Sequence, residues 1–253
     1  MTSVSPERRR TELLGTPVDL LSMAEVLALV EQWACGQVQR VAVGVNAHVA
    51  NLAADDREFA ALVRAADLAY ADGQSVVWAT RWLGAGPPER VATTDLIHPL
   101  AQMCAARGLT LYLFGAAPGV AQRAAQRLRA AEPELRVCTH HGYVDEAETA
   151  ELVADINASG AAVLLVGLGD PMQQRWVAQN RASVTVPVIL TCGGLFDWVS
   201  GDHRRPPRWV VGGGLEWLWR LRLEPRRLAR RYLLGNPAFV ARVVRQKFGP
   251  RPR

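Results

Sequence analysis

The chain has 253 residues, of which 49% are hydrophobic and 21% are charged. This composition excludes a disordered chain and suffices for one large domain, or for a domain with an appendage. The net charge of +5 is unevenly distributed along the chain. Residues 200–253 contain 13 Arg and one Lys against three acidic residues, a net charge of +11. The rest of the chain contains 15 basic and 21 acidic residues, a net charge of −6. A basic segment on an acidic body predicts a polyanionic partner: nucleic acid, an anionic membrane surface or a phosphorylated substrate.

Cysteine usage and apolar runs indicate the compartment. The four Cys are widely spaced and form no C-x-x-C pair, which predicts buried thiols in a reducing compartment, not a zinc site or a disulfide framework. The first 15 residues hold no apolar signal-peptide core, and no later apolar run reaches the roughly 18 to 20 residues of a spanning helix. We therefore expect a cytoplasmic protein whose membrane contact is peripheral.

From residue 14 to about residue 195, short apolar runs alternate with amphipathic segments of helical length. This alternation predicts an α/β fold with a Rossmann-like, mostly parallel sheet flanked by helices. Strands are predicted at 40–45, 68–70, 109–114, 135–139, 162–166 and 186–191, and helices at 23–34, 56–66, 74–83, 94–107, 118–131, 146–158 and 171–181. The carboxyl ends of parallel strands meet at one edge of the sheet, where ligands of open α/β folds bind.

The composition changes after Trp198, where arginines and prolines become frequent. Three short amphipathic helices are predicted at about 215–223, 225–234 and 237–248, and they form a C-terminal basic helical appendage. We divide the chain into an α/β domain, residues 1–200, which would bind the main ligand, and an Arg- and Trp-rich appendage, residues 201–253. Trp209, Trp217 and Trp219 fit either anchoring at a membrane interface or packing of the appendage onto its neighbour.

Two glycine-containing loops follow predicted strands. In the loop 114–119, backbone N–H groups and the next helix N-terminus can hold a phosphate, but an ordinary strand-to-helix turn has the same sequence. The loop 166–174 brings Gln173 to a helix start, where its amide can bind a sugar or a nucleobase edge, or simply lie on the helix surface.

Polar side chains also follow other predicted strands. Asp72 stands where a carboxylate can act as a general base, and the structural alternative is a helix cap or an Asx-turn. Asn46 suits contact with a polar ligand, whereas the nearby His48 is typical of a structural hydrogen-bonding residue. Both positions fall at the edge of the sheet where a ligand is expected.

Arg90 precedes a helix that Thr93 or Thr94 is expected to cap, so it fits either phosphate binding or a surface ion pair. The sequence has no Asp-x-Asp pair for a divalent cation, no His/Cys cluster with metal-ligand spacing and no Gly-x-Ser-x-Gly turn. If a diphosphate leaves during the reaction, arginines or helix ends would have to stabilise it, and we expect no metal or other cofactor.

Seven segments of the chain, taken in order, resemble the WecG/TagA/CpsF family of bacterial glycosyltransferases (glycosyltransferase family 26). They are GVN at 44–46, ADLAYADGQSVVWATRWLG at 66–84, ERVATTDL at 89–96, LYLFGAAPGVA at 111–121, VGLGDPMQQRWV at 166–177, CGGLFDWVSGDHRRPPRW at 192–209 and GLEWLWRLRLEPRRLARRY at 214–232. The resemblance runs from about Thr16 to Tyr232. It rests on the order and spacing of all seven segments.

The resemblance implies an inverting, metal-independent hexosyltransferase at the cytoplasmic face of the plasma membrane. It would move an N-acetylmannosamine-type sugar from a UDP donor to a polyprenyl-diphosphate-linked sugar, in cell-surface polysaccharide or teichoic-acid-type biosynthesis. It also implies that Asp72 is the general base that deprotonates the acceptor hydroxyl. Substrate-binding roles carry over to Asn46, Arg90, Gln173, Arg220, Arg227 and Arg230, of which the three appendage arginines would lie over the diphosphate.

The sequence departs from the family pattern at three positions. Gly44 stands where the family has Thr, Met172 where it commonly has Lys, and Thr93 where it has Gly. These departures leave the class of transfer unchanged and bear on which sugar is used.

Other classes stay open at this stage. A nucleic-acid-binding protein would use the arginines of the appendage on phosphates, but it leaves the strand-end polar residues without a role, so we expect no nucleic-acid partner. A dinucleotide-binding enzyme would need a glycine fingerprint and an acidic ribose-binding residue that are missing here. The appendage also fits a cover over an interface between copies, which would make the protein a homo-oligomer. Arginines that face outward are expected to meet an anionic bilayer.

Overall fold

The computed structural model describes residues 9–86, 88–203, 207, 210 and 215–249, so Trp209 lies outside the described residues. The strands are β1 (Arg10–Leu13), β2 (Thr16–Asp19), β3 (Arg40–Val45), β4 (Leu68–Ala71), β5 (Thr110–Gly115), β6 (Arg136–His140), β7 (Ala161–Gly167) and β8 (Val188–Thr191). The helices before residue 200 are α1 (Met23–Ala34), α2 (Ala47–Asp55), α3 (Arg57–Arg64), α4 (Gln74–Leu83), α5 (Thr93–Arg107), α6 (Val120–Ala131), α7 (Thr149–Ala158), α8 (Met172–Asn180) and α9 (Leu195–Val199). The C-terminal part contains α10 (Glu216–Leu223), α11 (Pro225–Ala229), a π-helical turn (Arg230–Leu234) and α12 (Gly235–Phe248).

The strands form one sheet in the order β1-β2-β4-β3-β8-β7-β5-β6, in which only the β1–β2 pair is antiparallel. Side chains alternate along each strand, so Val41, Val43 and Val45 of β3 pack on one face and Ala42 packs on the other. The first face is covered by α2, α3, α4, α7, α8 and α12, and the second by α1, α5, α6 and α9. The prediction of a Rossmann-like, mostly parallel sheet flanked by helices, with helices after residue 200, is confirmed.

The β1–β2 hairpin is a feature that the sequence pattern did not predict. Its strands have four residues each, and Pro17 lies inside the second, so there is no long apolar alternation to detect. The hairpin is held by polar contacts: Arg10 Nε donates to Asp19 Oδ1 at 2.8 Å, and the buried Asp19 carboxylate accepts the Ala69 N–H of β4 at 2.8 Å. Helices α2 and α9 are also additional to the predicted set.

Helix α12 is packed directly onto the sheet-covering layer. Phe239 and Val243 are buried in the same core as α2. The Asn51 side chain of α2 donates to Gly235 O at 2.7 Å and accepts from Arg242 Nη1 at 3.0 Å. These contacts set the last helix against the carboxyl edge of the sheet. The division of the chain near residue 200 stays a prediction.

Within the described ranges, every helix is either too short or too polar to cross a bilayer.

Candidate active site

A cavity of about 710 Å³ lies at the carboxyl edge of the sheet. One side is formed by the loops that follow β3, β4, β7 and β8, and the other side by α10, α11 and α12. Six of the seven site residues predicted from the sequence line it: Asn46, Asp72, Arg90, Gln173, Arg220 and Arg227. The seventh, Arg230, is exposed and is not among the lining residues.

Asp72 follows β4 and is held by donors on both oxygens. Its Oδ1 accepts hydrogen bonds from the backbone N–H and the hydroxyl of Thr93, at 3.0 and 3.1 Å, and its Oδ2 accepts one from Asn46 Nδ2 at 3.3 Å. The prediction that Thr93 or Thr94 caps α5 is wrong. The N-cap is Ala92, which has no side-chain acceptor, and Asp72 accepts the Thr93 N–H from outside the helix. Oδ2, with one long hydrogen bond, is the less engaged oxygen.

Tyr70 extends this arrangement into the core. Its hydroxyl lies 3.3 Å from Thr93 Oγ1. Since an ionised carboxylate only accepts, the Thr93 hydroxyl donates to Asp72 and the Tyr70 hydroxyl donates to Thr93. Burial, and secondly the charge of Asp72, raise the pKa of Tyr70 well above its ordinary value, so the phenol keeps its proton. Gly44 lies alongside, where a Cβ would be 3.1 Å from Asp72 Cβ and 3.2 Å from the Tyr70 hydroxyl.

Asn46 and Gln173 are both occupied by contacts within the protein. Asn46 Oδ1 caps α2 by accepting the N–H groups of His48 and Val49, at 3.0 and 3.2 Å. Gln173 is 3% exposed, and its Nε2 donates to Asp170 Oδ1 at 2.7 Å while its Oε1 accepts from the backbone N–H at position 193 at 2.9 Å. Their first role is therefore to fix the loops that form the cavity wall.

Arg90 connects Asp72 to the C-terminal helices. Its Nε donates to Asp72 O at 3.3 Å, and its Nη2 forms an ion pair with Glu216 Oε2. Glu216 Oε1 also lies 3.8 Å from Arg220 Nη2. The Arg90 and Glu216 side chains are each only 17% exposed, so water screens this pair less than it would on the surface. The ion pair places α10 over the end of β4.

The appendage arginines differ in where they point. Arg220 stacks over the Trp198 ring, 5.0 Å from its centroid, and Arg227 pairs with Glu224. Arg231 lines the cavity, and its Nε is buried without a hydrogen-bond partner among the described residues. Arg230, the first residue of the π-helical turn, is exposed. The third arginine on the cavity side is thus Arg231.

The sequence matches the model of the glycosyl transferase WecG/TagA/CpsF family over residues 11–253, nearly the whole chain. The chain belongs to this family. As a WecG/TagA/CpsF-family glycosyltransferase it acts on a sugar donor and an acceptor, which favours the enzyme over the nucleic-acid-binding alternative.

In this glycosyltransferase, the structure brings to the site three residues that sequence reasoning missed, Tyr70, Glu216 and Arg231, and it gives Thr93 a role other than the predicted cap. Tyr70 lies two residues before Asp72, a spacing that puts both side chains on one face of a strand. Arg231 lies four residues after Arg227, a spacing that puts both on one face of a helix. The Glu216 pair depends on tertiary packing, and no local pattern signals it.

His48 lies on the cavity wall in the first turn of α2. Burial of the ring, and secondly the Arg231 guanidinium, lower its pKa to about 4, although Asp170 acts in the opposite direction. His48 is therefore neutral at pH 7.

The loop 114–119 has no residue among those that line the cavity. At Gly115, a Cβ would lie 2.4 Å from Gly167 O, so glycine is needed there for the close approach of the β5 and β7 ends. Over the described ranges, no group of three or more His, Cys, Asp or Glu side chains is arranged to hold a metal ion.

Proposed function

We propose that this glycosyltransferase transfers an N-acetylmannosamine-type sugar, with inversion, from a UDP donor to a polyprenyl-diphosphate-linked sugar. The reaction would belong to cell-surface polysaccharide or teichoic-acid-type biosynthesis at the cytoplasmic face of the membrane. The observation that carries this proposal is the environment of Asp72, a carboxylate on the cavity wall. Among the described residues, its Oδ1 accepts hydrogen bonds from two donors and its Oδ2 accepts one.

In the proposed step, Asp72 Oδ2 takes the proton of the acceptor hydroxyl. The acceptor oxygen then forms a bond to the anomeric carbon on the face opposite UDP. The bond between that carbon and the diphosphate oxygen breaks, and UDP leaves with the electron pair, so the anomeric configuration inverts. General-base assistance of this kind contributes about 10²- to 10⁴-fold to the rate.

Cationic side chains on the opposite wall support stabilisation of the diphosphate charge. Arg220, Arg227 and Arg231 line the same cavity as Asp72. Guanidinium groups suit phosphate oxygens because they offer several donors in a fixed plane. In this proposal they replace the divalent cation that many glycosyltransferases use on the leaving group.

Membrane docking is supported by the outer surface of the C-terminal helices. Leu233 and Leu234 are 58% and 65% exposed, and Arg226 and Arg230 of the same segment are also exposed. Exposed leucines among arginines suit the surface of an anionic leaflet, where each arginine contributes on the order of 1 kcal/mol.

The first test is a screen of UDP-sugars with a short-chain lipid-diphosphate-GlcNAc acceptor, reading UDP release and product mass. With an active donor in hand, Asp72→Asn is expected to lower kcat by about 10³-fold, because the isosteric amide cannot take the proton. Binding of UDP and the unfolding free energy should change little. Asp202→Asn is a matched control, since Asp202 pairs with Arg123 outside the cavity lining. Transfer by Asp72→Asn above one tenth of the unaltered rate would rule out Asp72 as the base.

A further inference from the structure

One side of the cavity is apolar and open to solvent. Trp78 and Trp82 lie one turn apart on α4, and Val240 and Val244 lie one turn apart on α12. All four line the cavity, and they are 54%, 42%, 59% and 41% exposed, respectively. Two helices thus face each other across a groove, here called the α4–α12 groove, that is continuous with the Asp72 site. Apolar side chains grouped in this way on a protein surface mark a binding site.

The α4–α12 groove is preformed. The Trp82 and Phe248 rings meet edge to face at 5.8 Å, and Lys247 Nζ donates to Trp82 O at 2.5 Å while lying 4.4 Å from the Trp82 ring centroid. These contacts join the far end of α12 to the end of α4. The hydrogen bonds between Arg242 and Asn51 hold the middle of α12 against α2. A ligand entering the groove would therefore meet an ordered surface and lose little affinity to ordering it.

The other side of the same cavity is cationic. Arg220, Arg227 and Arg231 line it together with Glu216 and Glu224, which pair with Arg220 and Arg227. The guanidinium available to a ligand is that of Arg231, whose buried Nε has no partner among the described residues. An unpaired donor of this kind favours a ligand oxygen as its acceptor. A cavity with guanidinium groups on one side and an apolar groove on the other is complementary to an amphiphile that carries an anionic phosphate head.

We propose that the α4–α12 groove binds the lipid tail of the acceptor, next to its diphosphate, so that the enzyme recognises the lipid as well as the sugar. This rests on the proposed function, which supplies a lipid-linked diphosphate as substrate. A second copy of the chain fits the groove less well, because a twofold interface needs a self-complementary surface, whereas this groove is concave and ends at cations. The tail enters between Trp78 and Val240 and runs toward Trp82.

The test measures binding, by calorimetry, of isopentenyl, geranyl and farnesyl diphosphate, which share a head and differ by one isoprene unit each. The unaltered protein is expected to bind about tenfold more tightly for each added unit, since every buried methylene adds affinity. In Trp78→Ser and Val240→Asn, the gain should fall below about twofold per unit, while isopentenyl diphosphate binds as before. Both residues are more than half exposed, so the variants should fold. Leu234→Asn, an exposed leucine outside the cavity lining, is the matched control.

Three results would overturn the groove assignment. The first is an unchanged chain-length dependence in both variants, and the second is an equal loss for all three diphosphates. The third is a dimer of the unaltered protein, by sedimentation, that Val240→Asn dissociates, because a second copy would then be the occupant. The binding assay needs no turnover, so its outcome is separate from that of the transferase. If the enzyme transfers sugar but its binding of diphosphates does not depend on chain length, only the groove assignment is refuted. If binding depends on chain length but no transfer is found, only the proposed function is refuted.

Discussion

Replacing Thr93 by Val tests whether the Tyr70–Thr93–Asp72 chain of hydrogen bonds is a unit. Valine keeps the shape of threonine and removes only the hydroxyl. That hydroxyl donates to Asp72 Oδ1 at 3.1 Å and lies 3.3 Å from the Tyr70 hydroxyl. The Tyr70 side chain is fully buried. The substitution therefore removes one hydrogen bond to a carboxylate and leaves one buried phenol without an acceptor.

The size of the effect follows from these two losses. A hydrogen bond to a charged group contributes about 1.5–3 kcal/mol, and an unsatisfied buried hydroxyl costs about 1–3 kcal/mol. Because the Thr93 N–H still donates to Asp72, we expect Thr93→Val to lower the unfolding free energy by about 2–4 kcal/mol. Tyr70→Phe should cost only about 0.5–1.5 kcal/mol, since Thr93 keeps its bond to Asp72. In the Tyr70→Phe background, Thr93→Val should cost about 1–2 kcal/mol less than it does alone.

Urea unfolding of the four proteins of this cycle measures both the costs and their coupling. Thr93→Ser keeps the hydroxyl and should stay within about 1 kcal/mol of the unaltered protein. In transfer assays, Thr93→Val should lower kcat by about 10- to 100-fold, because Asp72 loses a donor that orients it. If the losses of unfolding free energy for Tyr70→Phe and Thr93→Val are additive, the three residues do not act as a unit and the reasoning is refuted. A loss below about 0.5 kcal/mol for Thr93→Val would also refute it.

Two further predictions concern His48 and the arginines of the π-helical turn. The pKa of His48, about 4 in the folded protein, lies below its ordinary value of 6.5, so the unfolded chain binds more protons between these limits. The unfolding free energy should therefore fall by about 2–3 kcal/mol as the pH drops from 7 to 4.5. Urea denaturation of His48→Gln should lack this component, and an identical pH profile of the variant would contradict the assignment. Arg231→Ala should lower transfer to a detergent-solubilised acceptor at least about tenfold, and Arg230→Ala should leave it within about twofold while weakening binding to anionic vesicles. The reverse ranking of these two variants would show that Arg230 is the residue that meets substrate.

The strands in the middle of the sheet were predictable because their hydrophobic runs are continuous and bounded by turn residues. β3 occupies the predicted residues, and the other predicted strands are found with their ends shifted by one or two residues. The β1–β2 hairpin was not predictable in this way, since its pairing depends on the contacts of Asp19 with Arg10 and with β4. A buried carboxylate that joins two strands leaves no periodic signal in the sequence.

At the site, strand ends were the informative signal. Asp72 and Asn46 follow adjacent parallel strands. Although the two residues are 26 positions apart, Asn46 Nδ2 lies 3.3 Å from Asp72 Oδ2. Thr93 was assigned to the wrong role because a threonine at a helix start usually caps the helix with its own side chain. Here Asp72 supplies the acceptor, so the Thr93 hydroxyl is available for Tyr70 and Asp72. Only the tertiary structure distinguishes these two arrangements.

Arg230 was predicted to contact the substrate, but Arg231 is the residue that lines the cavity, and this difference has a geometric cause. In an α-helix, residues at i+3 and i+4 lie about equally close to the face of residue i, so Arg230 and Arg231 are equivalent partners for Arg227 in sequence. The chain changes to a π-helical turn at Arg230, and the wider i→i+5 turn brings the i+4 residue closer to that face than the i+3 residue. The arginines then separate into two sets: Arg220, Arg227 and Arg231 line the cavity, although Arg227 is also exposed, whereas Arg222, Arg226 and Arg230 are exposed and lie outside the cavity lining. One segment thus presents positive charge to the cavity and to the outside at once, so substitutions on the two sides should separate diphosphate binding from membrane binding.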